Sequence, residues 1–475
     1  MTRLRLLCQA FCSFLASSVL FVSLVGNGAA DTQLPPQEQF AITDITLIDV
    51  AAGRALANQT VVVSEGRIAS IGQRGRIRVP AAARRIDGHG KFLIPGLIDT
   101  HIHLATSADR DRLRAVVPLI VHGVTGVRDA GASGQDEWLV TLRRRVANGD
   151  VLAPRMYVSG MLSRRSIERS GLGDAAALAR RQLDLGVDGL KIRDGLTRED
   201  IRAILEVAST ANRPVYGHTY DTVSREREQI YTLDAVRNGV SGTMHVMGMP
   251  QLGSGERPTP PPGPRFEAAW QTWWVYYASL WSHADPNAER ELIETMVFRN
   301  AWLEPTLITE DWIVNAATYR EGWRERGLPG SFERAHEGFP AVTGVALQQY
   351  GEAVTRMKDF IRRFHKAGGV ITAGTDCLPV CGFGLHDELE LLVSAGLSPA
   401  AALRAATLDA ARVLRWDASV GRIAPNLIAD LVLLDGNPLQ DIRQVRRVRA
   451  VVTNGRYLDR DRLDGLLANA LASGD

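Results

Sequence analysis

Two kinds of hydrophobic pattern divide the chain. From Ala41 onward short β-rich runs follow one another: Ile42 to Val50, Gln59 to Ser64, Arg67 to Ile71, Arg84 to Ile86 and Lys91 to Ile94. Gly and Asp punctuate them, as expected of short strands between turns. Asp430 to Leu434 and Val448 to Gly455, near the other end, share this character. The two ends are predicted to pair into one small β-sandwich over 41–95 and 421–475. Between them, apolar runs alternate with amphipathic stretches of helical period, the pattern of βαβ units around a parallel sheet.

Candidate strands of that central region fall at Leu97–His103, Gly123–Asp129, Arg155–Ser159, Gly189–Ile192, Pro214–His218, Gly242–Val246, Leu303–Leu307 and Val370–Asp376. Eight strands with intervening helices predict an α/β fold, a closed (β/α)8 TIM-like barrel over 96–420. A helix marked by Asp387-Glu388 and an apolar stripe through Leu389, Leu391, Leu392 and Val393 follows the last strand. An Ala-rich helix is predicted over Pro399–Leu414. Residues 251–284 form an insertion that opens with Gly, Ser and Pro and then carries Trp270, Trp273, Trp274, Tyr276, Tyr277 and Trp281. It reads either as an aromatic face packed on the barrel or as a lid over its mouth.

The first residues change the picture of where the protein works. Arg3 and Arg5 precede an apolar stretch from about Phe14 to Val25, and Gly28-Ala29-Ala30 supplies small residues for cleavage. Residues 1–30 read as a signal peptide, and 31–40, with Pro35-Pro36, as a linker. The apolar core is short for a membrane span. The expectation is a bacterial periplasmic or secreted protein with no stable membrane anchor once the signal is removed. Cys8 and Cys12 lie in that signal. Cys377 and Cys381 remain, close enough in sequence for a local disulfide in an oxidising compartment. Two cysteines alone do not make a closed metal site, which takes four ligands.

The chain has 475 residues, 45% of them hydrophobic, enough for a barrel with an accessory domain. Its net charge is +2, and its arginines are scattered rather than blocked, so no nucleic-acid footprint is visible. A small molecule is the expected partner, and homo-oligomerisation is left open.

The sharpest chemical signal is Pro95-Gly96-Leu97-Ile98-Asp99-Thr100-His101-Ile102-His103. Residues two apart on a strand share a face, so His101 and His103 point together as two imidazoles able to hold a metal ion. Four more candidates close later strands, where barrel active sites are built: Lys191, His218, His245 and Asp376. Any one of them alone reads as a core residue, but six on five strands of one barrel read as a site. Lys191 is one of only four lysines against 51 arginines. A lysine kept in an apolar strand is suited to amine chemistry that arginine cannot supply. Burial lowers its pKa, and a neutral amine can add CO2 to give a carbamate. Pairing with an acid is the alternative.

Pro-Gly-Leu-Ile-Asp-Thr-His-Ile-His, Gly-Val-Thr-Gly-Val-Arg-Asp, Gly-Val-Asp-Gly-Leu-Lys-Ile, the two later histidines and Ala-Gly-Thr-Asp together resemble the amidohydrolase superfamily. Within it the chain is similar to the imidazolonepropionase-related branch that includes Xaa-Pro dipeptidases, from about Ile42 to Leu458. The resemblance implies two divalent metal ions, Zn2+ by default. His101, His103 and Asp376 would hold one, His218 and His245 the other, with an N6-carboxylated Lys191 between them. It implies a metal-bridging hydroxide as nucleophile and Asp376 as general base then acid, cleaving an amide or peptide C–N bond of a dipeptide or N-acyl amino acid. Tyr220 resembles a position that faces substrate, where its hydroxyl would stabilise an oxyanion. His386, at a helix start, is a further candidate for substrate contact. The Arg128-Asp129 pair is typical of the family and is read as structural. The residues Gly-Thr-Met-His-Val around His245 and the Trp-rich insertion depart from the common pattern and leave the substrate open. Lactone, carbamate or phosphotriester hydrolysis on the same fold, and a non-catalytic metal-binding barrel, are the competing readings.

Overall fold

The computed structural model describes residues 37–104, 116–131, 136–219, 232–250, 270–325, 342–376 and 382–472. Strands β1 (Phe40–Asp49), β2 (Arg54–Ser64), β3 (Arg67–Gln73), β4 (Arg84–Asp87) and β5 (Phe92–Pro95) come from the beginning of this region. Strands β13 (Leu431–Leu434), β14 (Val448–Thr453) and β15 (Arg456–Asp459) come from its end. They join in one hydrogen-bonded sheet, ordered β15-β14-β13-β5-β1-β2-β3 with β4 beside β1. Leu431, Leu433, Ala450 and Val452 face a core shared with Ile42, Val61, Val63 and Leu93. Their neighbours Val432, Leu434 and Val451, with Ile94, belong to the main core beneath the barrel. Strands buried on both faces read as unbroken apolar runs, which is why β13 shows no polar alternation, whereas β14 keeps one exposed polar position at Arg449.

The hairpin that adds β15 was not expected from the sequence. Its turn is Asn454-Gly455, with φ of 47° and 74°. Asn-Gly is the strongest short hairpin signal because both positions need a left-handed backbone. A helix at Arg460–Ala472 follows and packs against β14, β15 and the short helix Val117–Val121.

The second sheet is parallel and runs β12 (Trp302–Glu304), β11 (Gly242–Met244), β10 (Val215–Gly217), β9 (Gly189–Ile192), β8 (Arg155–Leu162), β7 (Val124–Asp129), β6 (Leu97–Ile102). The expected eighth strand is not a regular ladder. Segment 370–376 nevertheless bridges the two edges. Leu303 N donates to Val370 O at 2.9 Å and Thr372 N to Leu303 O at 3.0 Å on one side. On the other, Thr100 N donates to Ala373 O at 3.0 Å and Asp376 N to His101 O at 2.8 Å.

Several predicted elements end elsewhere. β11 stops at Met244 and β12 at Glu304, because His245 (φ 60°) and Thr306 (φ 48°) turn left-handed. The helix marked by Asp387 starts at Phe383. The Ala-rich helix is two helices, Pro399–Ala405 and Leu408–Val413, broken where Thr407 leaves the helical region (φ −137°, ψ −95°).

Inside the barrel, glycines alternate with large rings. Tyr157, Tyr216 and Trp302 fill the layer below the strand ends with Ile98 and Trp416. A methyl group at Gly189 would overlap Tyr157 and Tyr216, and one at Gly242 would overlap the Trp302 ring.

In the aromatic insertion, helix Trp270–Leu280 leads into the turn Trp281–His283. Tyr277 and Trp281 are buried. Trp281 Nε1 donates to Met247 O at 2.7 Å, and its ring meets Phe360 edge-on. These residues pack the segment that follows His245. The side chains of Trp270, Trp273 and Trp274 lie outside the described residues, as do Cys377 and Cys381. Among the described residues no helix is long and apolar enough to cross a membrane.

Gly242→Ala is expected to destabilise the barrel by about 1–3 kcal/mol through overpacking against Trp302. Thermal unfolding measures this, and a melting temperature equal to wild type would contradict the packing described.

Candidate metal centre

The six ligand candidates meet at one end of the barrel. His101 lies near the end of β6 and His103 just beyond it. Lys191 is on β9. His218 and His245 directly follow β10 and β11, and Asp376 ends segment 370–376. His101 Nε2 is 3.3 Å from His103 Nε2 and 3.1 Å from Lys191 Nζ. Asp376 Oδ1 is 3.1 Å from His103 Nε2 and 3.5 Å from His101 Nε2. The His101 ring centroid is 4.8 Å from that of His245, which is 4.8 Å from that of His218. His101 and Lys191 are almost wholly buried, at 0% and 1% exposure.

Two of these side chains sit on unusual backbone. His245 and Asp376 have φ of 60° and 58°. Such conformations cost of order 1–3 kcal/mol and persist where the surroundings enforce them. Here His245 N donates to Glu304 O and Asp376 N to His101 O, both at 2.8 Å.

The partners of the imidazoles fix which nitrogen carries each proton. His103 Nδ1 is 2.9 Å from the carbonyl of Gly131, which only accepts. His245 Nδ1 is 2.7 Å from Thr306 Oγ1, whose own proton goes to Pro305 O. His101 Nδ1 is 2.6 Å from Glu304 Oε1. Each ring therefore donates from Nδ1 and leaves Nε2 with a lone pair. Two bare Nε2 atoms and a carboxylate oxygen then face one another at 3.1–3.5 Å. Three acceptors at that range repel unless a cation lies among them, so the donor set fits a divalent metal. Among the described residues, His101, His103 and Asp376 form the one group whose ligand atoms all lie within 4.8 Å of each other.

The ionisation of the site follows from burial. Burial drives His101 and His218 well below the usual imidazole range, and the nearby Lys191 and His245 add to this. Both rings are neutral, as metal ligands must be. Burial, helped by Arg193, brings Lys191 down to about 7, against the pull of Asp376 and Glu304. Burial pushes Asp376 upward, but its surroundings at His103, His245 and Lys191 outweigh it and hold the carboxyl well below its usual range.

Sequence reasoning missed the groups behind the ligands. Glu304, Thr306 and the Gly131 carbonyl orient three of the histidines. Asp194 Oδ1 is 3.8 Å from Nδ1 of the fourth, His218. Asp99 accepts from Thr375 Oγ1 at 2.7 Å and from the backbone of Thr375 and His101, both at 3.1 Å, so it ties β6 to segment 370–376. Burial raises Asp99 to about 7 against those hydrogen bonds. An acid closing an apolar strand at Glu304 was the available signal.

His386 is placed otherwise than its substrate-contact reading. It is buried, its Nε2 donates to His122 O at 2.9 Å, and its ring meets that of His122 edge-on. The helix starts three residues earlier, at Phe383, and packs its His386 face inward. Tyr220 lies outside the described residues.

Comparison with known proteins matches residues 92–458 to the amidohydrolase family. An imidazolonepropionase of Rubrobacter xylanophilus is 26% identical over 409 residues, 79% of this chain and 84% of that protein. A deacetylase of Agrobacterium fabrum is 28% identical over 102 residues, 21% of this chain and only 25% of its own length. A Bifidobacterium longum structure described as a prolidase candidate is 27% identical and superposes with a TM-score of 0.63, covering 92% of this chain and all of that one. The matched segment holds all six ligand candidates, and the chain belongs to the amidohydrolase family.

Proposed function

We propose that this protein is a binuclear metal-dependent hydrolase that cleaves the amide C–N bond of small dipeptide or N-acyl amino acid substrates. The observation that carries the reading is the convergence of bare imidazole nitrogens, a buried lysine and an ionised aspartate at one barrel mouth. The family membership and the likeness to the prolidase candidate support the same bond type. His101, His103 and Asp376 would hold one ion, His218 and His245 a second, and a carboxylated Lys191 both; zinc suits this donor set. Ions held there acidify water and polarise the scissile carbonyl.

The chain's own residues account for the rest. The Lys191 amine, brought down to about 7, is partly unprotonated at neutral pH. It can then add CO2, its nitrogen forming the N–C bond while a proton leaves to water. Asp376 stays ionised and accepts the proton of the attacking water. It returns that proton to the leaving nitrogen, acting as general base and then general acid. His101 and His218 stay neutral, and His101, His103 and His245 keep their orientation through Nδ1. In the same reading, residues 1–30 export the enzyme, and it acts in the periplasm or outside the cell.

Lys191→Ala is expected to lower metal content from about two ions per chain to about one and to abolish most turnover. Wild-type metal content in that variant, measured by elemental analysis, would remove the bridging role. Asp376→Asn is expected to cut kcat by roughly 10²–10⁴-fold, the range of general acid–base catalysis. Unimpaired hydrolysis of a dipeptide panel would contradict the proton-transfer role. Zinc at 100 times its Kd is expected to stabilise metal-free protein by about 2.7 kcal/mol, read as a higher melting temperature that a chelator reverses. No shift would count against a resident metal.

A further inference from the structure

Behind His101 the barrel holds a charge pair that the ligand chemistry does not explain. Glu304 and Arg128 are both 0% exposed. Arg128 Nη2 donates to Glu304 Oε2 at 2.5 Å, while Glu304 Oε1 faces His101 Nδ1 at 2.6 Å. The guanidinium carbon of Arg128 lies 4.6 Å from the centre of the Tyr216 ring and 4.8 Å from that of Trp302. Its Nε and Nη1 have no hydrogen-bond partner among the described residues. The aromatic faces therefore supply the stabilisation that hydrogen bonds do not. Gly374 completes the cradle: a Cβ there would come within 2.8 Å of both His101 Cβ and Glu304 Cδ.

A buried ion pair is weak evidence for stability, since an apolar replacement often serves as well. This pair is costly to keep, and it points at one ring nitrogen of one ligand. We propose that Arg128 and Glu304 are positioning residues which together commit His101 to the Nδ1–H form and so aim its Nε2 lone pair at the metal. Glu304 accepts the Nδ1 proton. Arg128 holds the Glu304 carboxylate in the rotamer that can do so, and the Tyr216–Trp302 cage holds Arg128. Lys191 Nζ, which carries N–H donors whether charged or neutral, lies 3.1 Å from His101 Nε2, which agrees with a lone pair on that atom. The cage selects a planar guanidinium, so lysine is not an equivalent at 128. This assigns Arg128, typical of the family and readable as merely structural, a part in metal retention. The proposal rests on the metal-centre reading above, yet its first test does not need the metal.

The experiment uses the full chain in metal-free form, labelled with ¹⁵N-histidine, to read the His101 tautomer by NMR. His101→Asn identifies the resonance. Wild type is expected to carry its proton on Nδ1; an Nε2–H tautomer would overturn the proposal. Zinc is then titrated by calorimetry into wild type and into the paired variant Arg128→Met with Glu304→Gln, which removes both charges together. Removing an outer partner of a ligand typically costs 10–100-fold in metal affinity, and the paired variant is expected to lose that much with a melting temperature near wild type. A folded paired variant with wild-type zinc affinity would overturn the proposal. Should it fail to fold, Glu304→Asp keeps the charge but shortens the reach to Nδ1. The same loss is expected there, and unchanged affinity would again overturn the relay. Arg128→Lys is expected not to restore affinity. If wild type itself takes up no zinc, the metal-centre reading fails, while the tautomer measurement still decides the relay.

Discussion

The placement of one proton, on Nδ1 rather than Nε2 of His101, governs the chemistry available at this barrel mouth. With Glu304 taking the Nδ1 proton, the Nε2 lone pair meets the lone pairs of His103 and Asp376 at 3.1–3.5 Å. That arrangement is repulsive in a dry interior unless a cation compensates it. The same dryness keeps the His101 and His218 imidazoles neutral and brings the Lys191 amine to about 7. Bare imidazole nitrogens, a partly unprotonated lysine and an ionised acid all follow from burial combined with fixed hydrogen-bond partners.

The scaffold makes this burial possible by spending side-chain volume unevenly. Glycines at 189, 242 and 374 clear room inside the barrel for Tyr157, Trp302 and the His101–Glu304 contact. The large rings fill the barrel below the ligands, and the ligands crowd the strand ends above. Closure depends on segment 370–376, which bonds to β12 on one side and β6 on the other without forming a regular ladder. Its irregularity delivers Asp376, with its left-handed backbone, beside the two histidines of β6. The sheet built from both chain ends buries β13 on both faces and shares the apolar residues Ile94, Val432, Leu434 and Val451 with the main core.

Much of this was legible in the sequence, for identifiable reasons. His101 and His103 stand out because alternation on a strand gives them one face, and Lys191 because lysine is so rare in this chain. The alternation of apolar runs with amphipathic stretches announced the barrel. Glu304 was not legible as a partner of His101. The two lie 203 residues apart, and an acid closing a short strand reads equally well as a surface cap. The left-handed turns at His245 and Thr306 and the break at Thr407 are set by tertiary contacts, so local propensity placed those element ends wrongly. The β15 hairpin was different: Asn454-Gly455 carried the signal openly. His386 was read as a helix-start residue able to touch substrate, and the structure instead buries it against His122, three residues into its helix.

The most direct test of the account is the metal content of the purified chain after loading with zinc and bicarbonate, measured by elemental analysis. About two ions per chain is the expected result for a lysine-bridged site of this kind. About one would contradict the bridge through Lys191, and none would contradict the metal centre as a whole.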